Sequence, residues 1–599
     1  MLAKLLERLP RVQLPQNGEV PAFRQIKHQR KSVGKHLPSR SERWPSLSCQ
    51  VAQVQAVPAP SWEASLSSPS SAQSDGLAAD SHVVLDHPTP KRAEVLRSIV
   101  FVASECAPWS KTGGLGDVMG ALPRALAARG HRVMVVAPRY ANYPEAFDTG
   151  KRHLVLGVEV GFFHHVNKGV DYVFVDHPSF PRPGGIYSDQ FGVYGDNQFR
   201  FTLLTLAALE VPLVLPLGEQ GLFGQDVIFM ANDWHTSLLP VYLAAKYRPY
   251  GVYSNARSIL AIHNLKHQGV FPPSTFGNLG LPDDWYKAVE WQYPPHERKG
   301  AYEEEGRAVN HMKAGIICAD RVVTVSAGYA DEIKTALGGC GMDGLLANRG
   351  FVLNGITNGI DIMEWDPATD PHIIQTFNDQ TFVEGKAACK KALQEEMQLE
   401  QNADVPLVAF IGRLDPQKGA DILLQAAAQF LPHERMQLVC LGTGDPAVED
   451  GMRWLESSHR DKARCWVGFN VPLSHRLTAA ADILLMPSRF EPCGLNQLYA
   501  MRYGTVPLAH KTGGLKDTVT DFDPFAPGGP VGTGWTYTQC DAEGLTHAVR
   551  LALQTWWQHR DDFRGIQRRG MARDASWDLA AQQYEQVFTW AVTDAPYCK

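Results

Sequence analysis

Residues 98–138 read SIVFVASECAPWSKTGGLGDVMGALPRALAARGHRVMVVAP, and their pattern decides the fold. Residues 98–103 are a short apolar run rich in Val and Ile, the signature of a parallel strand buried on both faces. Leu115, Val118, Met119, Leu122 and Leu126 then recur at helical spacing as far as Gly130, a C-terminal stop signal. Pro123 lies inside that stretch, so a kink or a restart of the helix is expected there. Residues 132–137 form the next strand. Together these make one βαβ unit whose first turn carries Gly113 and Gly114.

The pentapeptide at that turn, Lys111-Thr-Gly-Gly-Leu115, occurs again as Lys511-Thr-Gly-Gly-Leu515. The second copy also follows a strand-like run, 505–509, and each copy has an Asp two residues after its Leu, Asp117 and Asp517. A glycine pair after a strand lets backbone approach an anion and offers it free N–H groups. Two such loops, one per half of the chain, suggest two domains holding one phosphorylated sugar between them, outside the strand C-termini.

The remaining pattern agrees. Strands at 227–231, 258–262 and 321–325 deliver Asn232-Asp-Trp-His235, His263-Asn264 and a helix through 329–337. Residues 154–160 and 170–175 read as a hairpin. A second block starts near residue 405, with strands at 407–411, 438–441, 480–486 and 505–509 and a helix at 421–430. Residues 370–404 between the blocks are polar and helical, and 577–592 form a last helix placed to cross back to the first domain. The expected fold is α/β, two doubly wound Rossmann-like domains facing a deep cleft. The expected divisions are 1–95 as leader and linker, 96–395 as the first domain, 396–576 as the second and 577–599 as the returning helix.

Composition narrows the function. A chain of 599 residues with net charge −6 indicates no nucleic-acid surface. No apolar run is long enough to span a bilayer. Ten scattered cysteines without a CxxC pair argue for a reducing compartment. The leader is basic and poor in acids before residue 41, and residues 65–80 are rich in Ser and small residues, which fits an organelle transit peptide and a linker.

Three polar segments carry chemistry. Gly412-Arg-Leu-Asp-Pro-Gln-Lys418-Gly sets Arg413 and Lys418 across a strand-to-helix turn, a pairing suited to a diphosphate because Arg is a planar fork and Lys a mobile point charge. Glu491, in Glu-Pro-Cys-Gly-Leu495, stands at the mouth of another strand-to-helix turn, where a carboxylate bonds sugar hydroxyls or stabilises positive charge at an anomeric carbon. His263 and His267 lie in a loop interrupted by Gly269, so ligand contact by His263 is preferred to metal binding.

Taken with Asn358-Gly-Ile-Asp361, Trp466-Val-Gly-Phe-Asn-Val-Pro472 and Asn496-Gln-Leu-Tyr, these motifs resemble the bacterial glycogen synthases and plant starch synthases, glycosyltransferase family five of the GT-B fold, over about residues 97–595. The likeness is strongest to the soluble isoform I branch. The resemblance implies retaining transfer of glucose from ADP-glucose to the non-reducing-end 4-hydroxyl of an α-1,4-glucan in a plastid, with no metal and no cofactor. It also implies other starch-synthesis enzymes as partners. A granule-bound amylose-elongating isoform and a non-catalytic glucan-binding scaffold are the alternatives. By likeness, Lys111, Gly113, Gly114 and Asp117 serve the donor's diphosphate or glucose, and Arg413 and Lys418 neutralise the departing ADP. Glu491 and His263 hold glucosyl hydroxyls. The N–H groups of Thr512, Gly513 and Gly514 meet the diphosphate, or those of Gly494 and Leu495 the sugar. Tyr194, Asp233 and Asn264 line the acceptor side. Cys106, beside the first loop, and Cys493, in the Glu491 box, are expected to face each other across the cleft, either joined as a redox-formed bridge or as two reduced thiols. Lys266 and Lys511 depart from the family pattern.

Overall fold

The computed structural model describes residues 91–293 and 306–598. The expected leader, apart from residues 91–95, lies outside them. The first domain is built on a nine-stranded sheet. Its strands are β1 (Ser98–Val102), β2 (Arg132–Pro138), β3 (Phe147–Val155), β4 (Val158–Asn167), β5 (Val170–Asp176), β6 (Ile228–Asn232), β7 (Arg257–Ile262), β8 (Arg321–Thr324) and β9 (Leu353–Gly355), in the order β9-β8-β7-β6-β1-β2-β5-β4-β3. Neighbours from β9 to β5 run parallel, and β3 and β4 add an antiparallel edge.

The second sheet is six strands, all parallel: β10 (Leu407–Ile411), β11 (Gln437–Gly442), β12 (Ala463–Val467), β13 (Ile483–Met486), β14 (Val506–His510) and β15 (Trp535–Tyr537), in the order β12-β11-β10-β13-β14-β15. Both sheets are covered on both faces, as period-two alternation requires. Val100, Met134, Phe229 and Leu260 pack into one apolar cluster, while Ile99, Val133, Met230 and Ile259 pack into another. In the second domain Val408, Leu438 and Leu508 lie on one face and Leu407, Val439 and Ala509 on the other.

Five helices position the site: α1 (Gly114–Ala128), α2 (Ala327–Glu332), α3 (Asn496–Arg502), α4 (Gly513–Thr518) and α5 (Trp577–Thr593). Helix α1 runs through Pro123 without restarting. Proline lacks the N–H that would bond the Met119 carbonyl. That carbonyl instead accepts from the Cys106 Sγ–H at 3.8 Å. Helix α5 lays Ala580, Ala581, Tyr584, Val587 and Phe588 into the cluster that holds Val118, Met119 and Leu122 of α1. Arg129, nearly buried, fixes it through Glu585 at 2.6 Å and Asp578 at 2.9 Å.

Three expectations change. The hairpin of 154–160 with 170–175 is a three-strand meander, because Leu156 and Gly157 take positive φ (51° and 76°) and turn the chain inside the first of those runs. The helix expected through 337 stops at Glu332, where the Thr335 hydroxyl donates to the Glu332 carbonyl at 2.7 Å and accepts from the Gly338 N–H. Helix 382–396, ahead of the expected boundary at 395/396, belongs with the second domain: its Phe382, Cys389 and Leu393 share a cluster with Leu407 and Val439, and Lys390 pairs with Asp482 at 2.8 Å.

Candidate active site

The site collects at the C-terminal ends of both sheets. Helix α1 begins directly at the first glycine pair, and the first-turn N–H groups of a helix have no intrahelical partner. A Cβ built on Gly113 or Gly114 meets no atom within 4 Å, and both residues are exposed, so this loop offers room for a ligand. Its shape is set by Glu105, a buried carboxylate at the end of β1. Glu105 accepts from the Thr112 N–H (2.7 Å), the Thr112 hydroxyl (2.6 Å), the Gly113 N–H (3.2 Å) and the Tyr187 hydroxyl (2.7 Å). Lys111 Nζ lies 2.6 Å from Asp117, whose carboxyl is shifted upward, first by burial. Asp117 also lines a cavity of about 200 Å³ together with Asp361, Glu364, Leu495, Tyr499 and Trp577, so the first loop's helix meets the Glu491 box through shared walls.

From the second domain, Lys418 Nζ lies 2.5 Å from Glu491 Oε2, and the Ser488 hydroxyl donates to the same oxygen at 3.2 Å. Glu491 is 5 % exposed, and a carboxylate so buried demands a counter-charge. Arg413 is the freer cation: its side chain is 61 % exposed and tethered to Asp415 (3.1 Å) and Gln417 (2.9 Å). It acts electrostatically on His267 of the first domain, which places it on the cleft side. Lys266 sits 5.5 Å from the ring centre of Phe490, a second contact across the cleft. Lys511 pairs with Asp521 at 3.3 Å.

Asp233 and His263 form the first domain's wall. Asp233 has φ 54°, a left-handed conformation that Asp tolerates better than most side chains. The turn aims its carboxyl at the N–H groups of His263 (2.7 Å) and Asn264 (3.3 Å). The Asn264 side chain accepts from the Lys266 N–H at 3.1 Å. The Asn232 amide donates to the Val102 and Met230 carbonyls, so its Oδ1 must accept from His263 Nε2–H at 2.9 Å. That leaves His263 Nδ1 as an acceptor. Burial lowers the imidazole to about 4, so His263 is neutral near pH 7 and works as a hydrogen-bonding group.

Burial raises Asp233 to about 7. Between its ordinary value, about 3.9, and about 7, the folded carboxyl keeps a proton that the unfolded chain has released. This contribution to stability is complete below that ordinary value, is lost as pH rises through about 7, and is flat above. Asp233→Asn is therefore expected to reduce the decline of the thermal midpoint between about pH 5 and 8. Scanning calorimetry across that range checks it, and equal slopes for both proteins would count against it.

Several assigned residues are placed otherwise than the sequence suggests. In the second pentapeptide every N–H in question already has a protein acceptor: Thr512 bonds the His510 carbonyl (2.9 Å), Gly513 the Glu332 carboxylate (2.7 Å) and Gly514 the Glu491 carbonyl (3.0 Å). The expectation that these groups meet a diphosphate is corrected accordingly. No hydrogen bond among the described residues engages the N–H groups of Gly494 and Leu495, which open α3. The Tyr194 hydroxyl donates to the Pro183 and Gly185 carbonyls, and its ring lies under Arg182 and Arg200, so it braces its own loop. Cys106 and Cys493 are free, buried in different apolar clusters, and pushed up to about 12 by burial. The bridge between them is absent, and such thiols supply little of the thiolate that disulfide exchange requires.

Two carboxylates that hold the glycine loops were not singled out from the sequence. Glu105 carried a signal, an acid inside an otherwise apolar and small run from Ile99 to Cys106. Glu332 carried none, since an acid at the end of a short helix is ordinary.

Residues 98–348 match the family model described as starch synthase catalytic domain, and residues 394–569 match glycosyl transferases group 1. The chain is 54% identical over 525 residues to soluble starch synthase 1, chloroplastic/amyloplastic, of Oryza sativa subsp. indica, covering 86% of this chain and 81% of the rice protein. It is 47% identical over 530 residues to granule-bound starch synthase 2 of Solanum tuberosum, covering 86% of this chain and 67% of that protein. The solved catalytic domain of starch synthase IV from Arabidopsis thaliana, bound to ADP and acarbose, superimposes with TM-score 0.72 at 32% identity, covering 84% of this chain and 100% of that one.

Proposed function

The chain belongs to the starch synthase family of GT-B glycosyltransferases, and from that premise we propose how its cleft transfers glucose. The protein is a starch synthase: it moves glucose from ADP-glucose to the growing end of an α-1,4-glucan, extending amylopectin chains in the plastid. The soluble isoform 1 proteins are nearer to it than the granule-bound one, 54% against 47% identity. Lys111, Lys418 and Glu491, which a non-catalytic scaffold has no need to keep, are all present.

The observation that carries the mechanism is the Lys418–Glu491 pair at 2.5 Å on the cleft edge of the second sheet. When the bond from the anomeric carbon to the diphosphate breaks, negative charge develops on the departing ADP. Lys418 and Arg413 stand ready for that charge, in the role a divalent cation takes in other transferases. Glu491 orients Lys418 and faces the sugar, while neutral His263 accepts a sugar hydroxyl at Nδ1. The acceptor's 4-hydroxyl oxygen bonds the anomeric carbon with retention, and its proton leaves on the diphosphate. The open Gly113-Gly114 loop lets the donor approach the N-terminus of α1. No metal and no further cofactor is required in this scheme. Association with other starch-synthesis enzymes remains part of the proposal as an expectation of the family.

Incubation with labelled ADP-glucose or UDP-glucose and a short α-1,4-glucan tests the reading. Label is expected at the non-reducing end from ADP-glucose, and absence of incorporation from both donors would reject it. Gly113→Ala supplies a finer check. Its Cβ clashes with no protein atom and φ −159° suits any residue, so stability is expected to hold within about 0.5 kcal/mol. The added methyl narrows the donor's approach and is expected to raise the KM for ADP-glucose about tenfold. Steady-state kinetics with an unchanged KM would remove the loop from the donor site.

A further inference from the structure

The two pentapeptides use the same donors in different ways. In each, the Thr hydroxyl and the following Gly N–H point at a carboxylate. In the first loop that carboxylate is Glu105 of the same domain. In the second it is Glu332, the last residue of α2 in the opposite domain, with Oε1 3.1 Å from the Thr512 hydroxyl and 2.7 Å from the Gly513 N–H. The second loop is buried where the first is exposed.

Helix α2 makes two more contacts across the domain boundary. The Ser326 hydroxyl, which also caps α2 by accepting from the Tyr329 N–H, donates to the Pro492 carbonyl at 2.7 Å. The Gly328 N–H donates to Asp517 at 2.6 Å. The approach is close: a Cβ on Gly328 would lie 2.7 Å from the Gly513 carbonyl oxygen and 3.0 Å from Asp517 Oδ1. From Glu332 the path to the reacting groups is short. The loop it holds donates the Gly514 N–H to the Glu491 carbonyl, and the Glu491 carboxylate holds Lys418.

We propose that Glu332 is a positioning residue for glucosyl transfer: it takes the anion's place at the second glycine loop and so fixes the Glu491–Lys418 pair in register with the first domain's wall. The proposal rests on the transferase reading above. Glu332 touches no substrate, and its effect falls on the geometry in which transfer happens. Hydrogen bonds to a charged acceptor are the strong ones, and a small displacement of a reacting group is costly in rate.

The full-length protein is assayed for transfer to a short α-1,4-glucan and for hydrolysis of ADP-glucose without acceptor. Glu332→Ala is expected to lower kcat about ten- to hundredfold while KM for ADP-glucose stays within about threefold, and to raise hydrolysis relative to transfer. Glu332→Gln, whose amide oxygen can accept from the same two donors, is expected to recover kcat to within about fivefold of wild type. Gly328→Ala, which wedges the two elements apart without touching Glu332, is expected to reproduce the kcat loss, and it decides the matter should the alanine variant at 332 not fold. Wild-type kcat in Glu332→Ala or in Gly328→Ala overturns the proposal, as does an equal loss in the Ala and Gln variants at 332. A wild-type protein that transfers no glucose removes the functional reading instead, and with it the basis of this one.

Discussion

Lys418→Ala is expected to lower the transfer rate about thirty- to a thousandfold, equivalent to ~2–4 kcal/mol of transition-state stabilisation. The structure adds a reason to those the sequence offered. Lys418 is the direct partner of Glu491, at 2.5 Å, and Glu491 is almost fully buried. Removing the ammonium therefore takes away the charge proposed to meet the leaving diphosphate and strands a buried carboxylate. An unpaired buried carboxylate is the worse half of a broken pair, so the single variant is expected to lose stability as well as rate. The double variant Lys418→Ala/Glu491→Gln separates the two effects. It is expected to regain stability relative to the single variant without regaining turnover. Full turnover in Lys418→Ala would remove the electrostatic role assigned to this residue.

Gly513→Ala is expected to cost about 2–5 kcal/mol of stability and to abolish most activity in what remains folded. Its φ is +42°, and its Cβ would stand 2.1 Å from the Glu491 carbonyl oxygen, a backbone atom that cannot swing aside. Its neighbour Gly514 is packed as tightly, 2.1 Å from the Cys493 carbonyl oxygen. The chain at 491–493 must shift for a methyl to fit, and Glu491 shifts with it. Thermal denaturation and kcat measured on the same preparation check both parts. The contrast with Gly113→Ala is the point of interest: the same change in the same pentapeptide is expected to spare the fold in one copy and to break it in the other.

That contrast marks the limit of what the sequence could disclose. The strands were legible because both faces of each sheet are covered, which writes near-continuous apolar runs such as 98–103 and 407–411. Glycine pairs after strands pointed to loops whose N–H groups meet a carboxylate. What they could not tell is whose anion. Glu332 lies 180 positions from Thr512, and only the folded chain shows that a protein carboxylate fills the place a ligand was expected to take. The meander was misjudged for a local reason: Leu156 adopts a positive φ without being Gly or Asn, so the turn had half of its usual mark. Tyr194 was placed on the acceptor side by likeness to the family, yet its hydroxyl is committed to the Pro183 and Gly185 carbonyls, a contact that spacing does not foretell.

The returning helix α5 bears on how the protein comes off the ribosome. Residues 577–593 close one face of the first sheet, through contacts such as Arg129 with Glu585 that span 456 positions. Translation finishes that sheet's strands by residue 355 but supplies the last helix of this face only after the whole second domain has emerged. A nascent chain cut short before residue 577 leaves Val118, Met119 and Leu122 without their covering partners, in a form that invites chaperones or aggregation. The half of this protein that is made first is therefore expected to complete this face of its core only after the second half has emerged.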